Sequence, residues 1–381
     1  PNLGDGRALN LGEFNKYHLQ LKGSGQTPYS RDGDGRAVLR SSIREYLASE
    51  AMHALGIPST RALGIIGSDT KVYREKTEQG AITLRLSPSW IRFGSFEFAY
   101  LGKNKTAQLR ELADYVIDES FEDLKNHKNR YEELYYKIVD NTAQMIALWQ
   151  SYGFMHGVMN TDNMSILGLT IDYGPYAFME KFDKGFVCNL SDHEGRYSFE
   201  NQPYMAGWNL QVLAKVFSQI ANKDLLESYT STFMGNYKKR YFKIMFKKLG
   251  FIDEKEGDRK LLSELLKAMQ IDAIDYTSFF YRLSKKDFDS IEGENIRLWL
   301  EKYKTRTKKS LNTTTMQKVN PRYMLRNYML QEAIEKAEIG DFTLVNQLLE
   351  LIQNPFDEHK EFEDYTKADK NINNIRCSCS S

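Results

Sequence analysis

The sequence predicts a two-lobed α+β fold, with a small strand-rich first lobe and a larger, mainly helical second one. Three observations carry this expectation. The first hundred residues hold short alternating runs and many glycines around a single amphipathic helix. From about Thr106 the pattern changes to long helical periodicities. A chain of 381 residues also exceeds the size at which one hydrophobic core usually stops growing, roughly 250–300 residues.

Residues 17–22 and 81–86 alternate between apolar and polar side chains, the period of a half-buried strand. Between them, Leu39, Ile43, Leu47 and Ala51 recur every four residues and predict a helix over 36–55. Val38 and Ala54 flank its apolar face, and Gly56 and Pro58 stop it. Helices are predicted over 107–126 and 130–152. The second carries Leu134, Ile138, Met145 and Trp149 on one side and ends at Gly153. A Gly/Tyr/Pro-rich loop region runs to about Pro203, and helical patterns resume at 209–222, 223–248 and 260–269. Residues 302–318 are polar and basic and read as a linker, 320–351 as helical, and the last residues as a tail. The expected units are therefore a nucleotide-binding lobe over 1–105, a helical lobe over 106–301, and a linker with C-terminal helices and tail over 302–381.

Composition narrows the function. With 52 basic against 51 acidic side chains the net charge is +1, so bulk electrostatics do not call for nucleic acid. No run approaches the roughly 20 apolar residues of a membrane span, and the opening residues are not expected to act as a signal peptide, lacking its charged, hydrophobic and small-residue order. Three cysteines form no disulfide framework, and the Cys377/Cys379 pair lacks a second pair to complete a zinc site, which fits a reducing compartment. The chain opens at Pro1, directly on a dense motif, and is expected to lack its true N-terminus.

The chemistry concentrates in His156-Gly157-Val158-Met159-Asn160-Thr161-Asp162-Asn163 and in Leu167-Gly168-Leu169-Thr170-Ile171-Asp172-Tyr173-Gly174. Mg²⁺ takes hard oxygen ligands, usually one or two carboxylates plus phosphate oxygens, so Asn163 and Asp172 on adjacent elements suit it. Asp162 is then left to orient or deprotonate a hydroxyl nucleophile. A helix, a loop with Asp and Asn, and then Asp-x-Gly is the protein-kinase order. Lys22 ends a strand, and Glu45 lies between Ile43 and Leu47 on the next helix, so a Lys22–Glu45 pair would match the kinase strand-lysine and helix-glutamate bond. Gly4-Asp5-Gly6-Arg7 and Gly33-Asp34-Gly35-Arg36 are tight-turn segments that can bring backbone N–H groups and an arginine to an anion. Arg85 and Arg92 flank Ser87-Pro88-Ser89-Trp90 and, with Lys22, can clamp a triphosphate end.

Taken together, Gly4-Asp5-Gly6-Arg7, Leu21-Lys22-Gly23, Thr27-Pro28-Tyr29-Ser30-Arg31, residues 33–40, Arg85, Arg92-Phe93-Gly94, residues 156–163, Asp172-Tyr173-Gly174-Pro175 and Asn320-Pro321-Arg322-Tyr323 closely resemble the selenoprotein O family, in order along nearly the whole chain. The resemblance implies a protein-kinase-like fold and transfer of AMP from ATP, bound in a flipped orientation, to Ser, Thr or Tyr hydroxyls of proteins. It implies Asp162 as proton acceptor and Asn163 and Asp172 as ligands of Mg²⁺, with Mn²⁺ as the alternative ion. Gly4, Gly6, Arg7, Lys22, Asp34, Gly35, Arg85, Arg92 and Asp172 are implied as nucleotide contacts. Cys377-Ser378-Cys379 resembles the family's C-terminal tail, with cysteine where some members carry selenocysteine. Cys188, a little past Asp172, is expected to be within reach of a tail thiol as a redox latch. Cysteine in that tail points to a bacterial cytoplasm, or to mitochondria for a eukaryotic source. Two other classes stay open on the residues alone, an ordinary protein kinase and a nucleotide-binding pseudokinase scaffold, and the joint presence of Asp162, Asn163 and Asp172 argues against the scaffold.

Overall fold

The computed structural model of the chain describes residues 5–74 and 76–368. Its architecture is a small antiparallel sheet followed by a helical remainder. The sheet comprises β1 (Ala8–Phe14), β2 (Tyr17–Lys22), β3 (Ala37–Val38), β4 (Arg61–Tyr73) and β5 (Thr77–Ser87). β5 is central, with β4 along one edge and β2 and β3 along the other, and β1 closes the sheet as a hairpin with β2. In the β2–β5 register Gln20 faces Arg85 and Lys22 faces Thr83, so the strand lysine and the strand arginine point from one face of the same sheet.

Helix α1 (Leu39–Ala54) covers that face. Ile43, Leu47 and Met52 are fully buried, and Glu45 is carried inward among them. Next come α2 (Phe93–Tyr100), α3 (Lys105–Ser120) and α4 (Arg130–Tyr152), which Gly153 ends in the left-handed region at φ 70°. Helix α3 stops at Ser120, and a 3-10 turn at Glu122–Leu124 occupies the rest of the stretch expected to be helical. The short pair β6 (Phe154–Met155) and β7 (Ala177–Phe178) brackets the loop carrying the acids.

Helices α5 (Gln202–Phe217), α6 (Lys223–Lys248), α7 (Asp258–Ile271), α8 (Tyr276–Lys285), α9 (Glu294–Thr307) and α10 (Thr313–Val319) complete the larger part, followed by α11 (Asn327–Glu338) and α12 (Thr343–Gln353). Helix α5 starts seven residues earlier than the periodicity suggests, with Pro203 in its first turn. The stretch 302–318 is not a linker: it holds the end of α9 and most of α10. Tyr303, 0 % exposed, donates to Leu249 O at 2.9 Å and stacks on Trp299, so this polar stretch is anchored through its inward face.

Two cores result. One runs from α1 through α3, α4 and α5 to α11 and α12, joining the strand region to the helical part, and the other lies among α6 to α10. The C-terminal helices return to brace α1. Arg44 reaches Asn327 at 3.3 Å, and Gln353 reaches Glu50 at 3.2 Å. Among the described residues no helix is long and apolar enough to cross a membrane.

Candidate active site

A cleft of about 1050 Å³ opens between the sheet and the helical part. Its roof is built from two segments far apart in sequence. Thr27 Oγ1 donates to Asp5 O at 2.9 Å, Ser30 Oγ donates to Gly6 O, and Gly23 N donates to Arg7 O at 2.7 Å. The chain at Asp5–Arg7 is thereby pinned against the turn after β2. A Cβ on Gly6 would come within 3.1 Å of Tyr29 O, so a glycine lets the two backbones pack this closely.

Behind the roof lies an ion cluster. Lys22 Nζ is 2.6 Å from Glu45 Oε2 and 3.6 Å from Asp172 Oδ1. Arg85, 1 % exposed, donates through Nη1 to Glu45 at 3.0 Å and Asp172 at 2.8 Å, and through Nη2 to Asp5 at 2.8 Å and Gln20 at 3.0 Å. Arg92 Nη1 donates to the second oxygen of Asp172 and, at 2.9 Å, to Asp162 O. Three cations thus face three carboxylates whose side chains are largely covered, the arrangement in which a buried ion network holds its shape. Burial by itself would raise the Asp172 carboxyl, but Arg92, Lys22 and Arg85 hold it well below the usual carboxylate range.

Asp172 also sits at φ 55°, in the left-handed region that Asp and Asn tolerate better than most residues. The strand-like run before it is fixed by His156, whose Nε2–H donates to Ile171 O at 2.8 Å. Burial lowers the His156 pKa, so the ring is neutral and acts as a peg. The backbone of this loop is held in turn from α5. His156 N donates to Gln202 Oε1 at 3.0 Å, Gln202 Nε2 to Phe154 O at 2.9 Å, and Asn209 Nδ2 to Met159 O at 2.9 Å. This explains the early start of α5: its first turn is the clamp on the acid-bearing loop.

Asp162 and Asn163 occupy a 3-10 turn at Thr161–Asn163. Asn163 Nδ2 donates to Val158 O at 2.9 Å, which leaves Oδ1 as a hard acceptor. Asp162 packs on the start of α2, where a Cβ on Gly94 would lie 2.0 Å from its Oδ1. Among the described residues no group of three His, Cys, Asp or Glu side chains forms a metal cage. The Asn163 and Asp172 oxygens suit instead an ion that completes its shell with phosphate oxygens and water, the habit of Mg²⁺.

Gly6, Arg7, Lys22, Arg92, Asp162, Asn163 and Asp172 all line the cleft. Arg85, buried behind that lining, has all of its carboxylate partners within the cluster and braces Asp172 and Glu45. Asp34 and Gly35 do not line the cleft either. Asp34 takes a bidentate bond from Arg74, at 3.0 and 2.9 Å, which lowers its pKa to about 2, and Gly35 at φ 66° would drive a Cβ into Gly25 O. That segment is a turn tied to the β4–β5 hairpin. Gly4, Cys377 and Cys379 lie outside the described residues. Cys188 is buried, with Sγ 3.8 Å from Met155 O. Sequence reasoning left Arg31 unassigned, although it lines the cleft and, like Arg7, has no ion-pair partner among the described residues. It also missed the wall formed by Gln108, Glu111 and Tyr115 on α3. The exposed polar face of that helix carried no motif to mark it.

Comparison with known proteins gives a consistent picture. The family model described as "Protein adenylyltransferase SelO" matches residues 1–353. Curated relatives carry the name protein nucleotidyltransferase YdiU. One from Pseudomonas fluorescens (strain SBW25) is 46 % identical over 404 residues, one from Myxococcus xanthus 45 % over 405, and one from Aliivibrio salmonicida 44 % over 400. Each alignment covers 100 % of this chain and 82 % of the relative.

Proposed function

The chain belongs to the protein adenylyltransferase SelO family, and from that premise we propose that it transfers AMP from ATP to Ser, Thr or Tyr hydroxyls of proteins and releases pyrophosphate. It is a nucleotidyltransferase. The observation that carries the finer reading is the convergence of Asp162, Asn163 and Asp172 with Lys22 and Arg92 on one cleft. The strand lysine bonded to a helix glutamate, above a loop with Asp, Asn and a later Asp-x-Gly, supports a protein-kinase-like fold.

In the proposed step the acceptor oxygen bonds to the α-phosphorus, and the bond from that phosphorus to the α,β-bridging oxygen breaks. The electron pair departs with pyrophosphate and the hydroxyl proton passes to Asp162. As a positioned base Asp162 contributes about 10²–10⁴-fold. Lys22 and Arg92, with the uncommitted Arg7 and Arg31, neutralise the β- and γ-phosphates, so the α-phosphorus is left toward Asp162. Asn163 and Asp172 would hold Mg²⁺, or Mn²⁺ in its place, which supplies further charge neutralisation on the phosphates. Arg85 acts at one remove by holding Asp172 and Glu45 in register.

The test is incubation of the enzyme and a protein acceptor with ATP labelled at either the α or the γ phosphate. Label from the α position is expected on protein and label from the γ position in pyrophosphate. Protein labelled from the γ position alone would make the enzyme an ordinary kinase.

A further inference from the structure

A second groove, about 980 Å³, lies on the helical part between the loop after Asp172, the start of α5, and helices α6 and α7. Its floor is aromatic, with Phe182, Tyr237, Tyr241 and Phe242. Its rim is basic, with Lys184, Lys238, Arg259 and Lys267 against one carboxylate, Glu200. Lys184 lies 3.8 Å from Glu200, and Arg259 is paired with Glu254 at 2.7 Å. Lys238 and Lys267 are exposed and have no ion-pair partner among the described residues. Two large apolar side chains, Tyr204 at 66 % and Ile271 at 60 % exposure, stand open at the edge. An aromatic floor under a positive rim is the complement of an acidic segment with an apolar or aromatic anchor.

The groove is coupled to the chemistry through the backbone. Tyr204 and Pro203 belong to the same first turn of α5 whose Gln202 grips Phe154 and His156. Phe182, Lys184, Phe199 and Glu200 lie on the segment that begins at Asp172, and Gln150 Nε2 donates to Phe199 O at 2.8 Å to fix its far end on α4. A chain seated in the groove therefore rests on the elements that position Asp162 and Asp172.

We propose that this groove docks the acceptor protein through an acidic segment with an aromatic or aliphatic anchor, which presents a nearby hydroxyl to the cleft. The proposal rests on the reading of the enzyme as one that modifies proteins, and it names the acceptor class. Charge supplies encounter and orientation, and the anchor supplies residence.

The test uses two fluorescent peptides that share one Phe, one Tyr and one Thr, one flanked by Asp and Glu and the other by Lys. Their binding to the full chain is read by anisotropy without ATP, and AMP transfer is read separately with α-labelled ATP. The acidic peptide is expected to bind at least about tenfold more tightly at low salt, with the difference shrinking as ionic strength rises. The K238E/K267E double variant should erase that preference while a fluorescent ATP analogue binds with unchanged affinity. Equal binding of the two peptides, or an acidic-peptide affinity untouched by the double variant, overturns the docking site. Loss of α-label transfer to every acceptor with peptide binding intact sinks the proposed reaction instead and leaves the groove standing.

Discussion

Replacing Asp172 with Asn tests the site most cleanly, because the backbone there dictates which substitution is informative. At φ 55° an alanine would add about 1–2 kcal/mol of backbone strain unrelated to catalysis. Asparagine is tolerated in that region and keeps the side-chain shape, so the variant removes one charge and little else. The lost charge faces Arg85 at 2.8 Å, Lys22 at 3.6 Å and Arg92. Removing one member of a fully buried ion pair costs about 3–5 kcal/mol. The Asp172 side chain is 19 % exposed, and Glu45 and Asp5 still face Arg85, so about 2 kcal/mol of stability is the expected loss. Catalysis should fall further. In the proposed mechanism Asp172 would help hold the cation that neutralises the transferring phosphates, so its loss is expected to remove several kcal/mol from the transition state, about 10³-fold in rate. The assay pairs a thermal melt with α-labelled AMP transfer across a Mg²⁺ titration. A variant that melts slightly lower, transfers about 10³-fold more slowly and needs more metal supports the assignment. A variant with wild-type transfer and an unchanged metal requirement refutes it.

Two further outcomes follow from the same geometry. Gly94→Ala should cut transfer by about 10²-fold with only a small change in melting temperature, since the new Cβ would overlap Asp162 Oδ1 and displace the base by a fraction of an ångström or more; a variant with full activity would show that Asp162 need not sit where it does. Lys248, 2 % exposed, is enclosed by Tyr152, Tyr276 and Phe280, and burial pushes its ammonium down to about 7 from 10.5. Its folded pKa lies below its unfolded one, so its protonation penalises the fold in full below about pH 7, and the penalty is relieved as pH rises toward 10.5. Lys248→Met should therefore stabilise the protein at neutral pH, by on the order of 4 kcal/mol at most since the ring contacts offset part of the cost. Denaturant melts from pH 7 to 10 should show wild type gaining on the variant, and parallel curves would sink the idea.

Much of the fold was legible because it repeats. The run 17–22 and the helix at 130–152 have periods of 2 or about 3.6 that few other arrangements satisfy, and their bounds are those observed. Helices α8 and α9 were not legible. Helix α8 has ten residues, too few turns for a periodicity to stand out, and α9 spends Arg297, Lys302 and Lys304 on solvent while Ile296, Trp299, Leu300 and Tyr303 face inward. The acids at 162 and 172, with Asn163 and Lys22, could be picked out because metal and phosphate chemistry admits few residue types and each sits at the end of a recognisable element.

The amino-acid order by itself determined which groups are available for phosphate chemistry and which elements carry them, since composition and local period are properties of neighbouring residues. Tertiary structure alone decided who meets whom. Asp34 meets Arg74, forty positions on, which donates to both of its oxygens. Arg85 comes to lie beside Gln20 through the sheet register, and α1 lays Glu45 across it. A long-range ion pair leaves no periodic trace in the chain, because its energy depends on separation in space and on the water excluded around it, and both are set only once the lobes have closed.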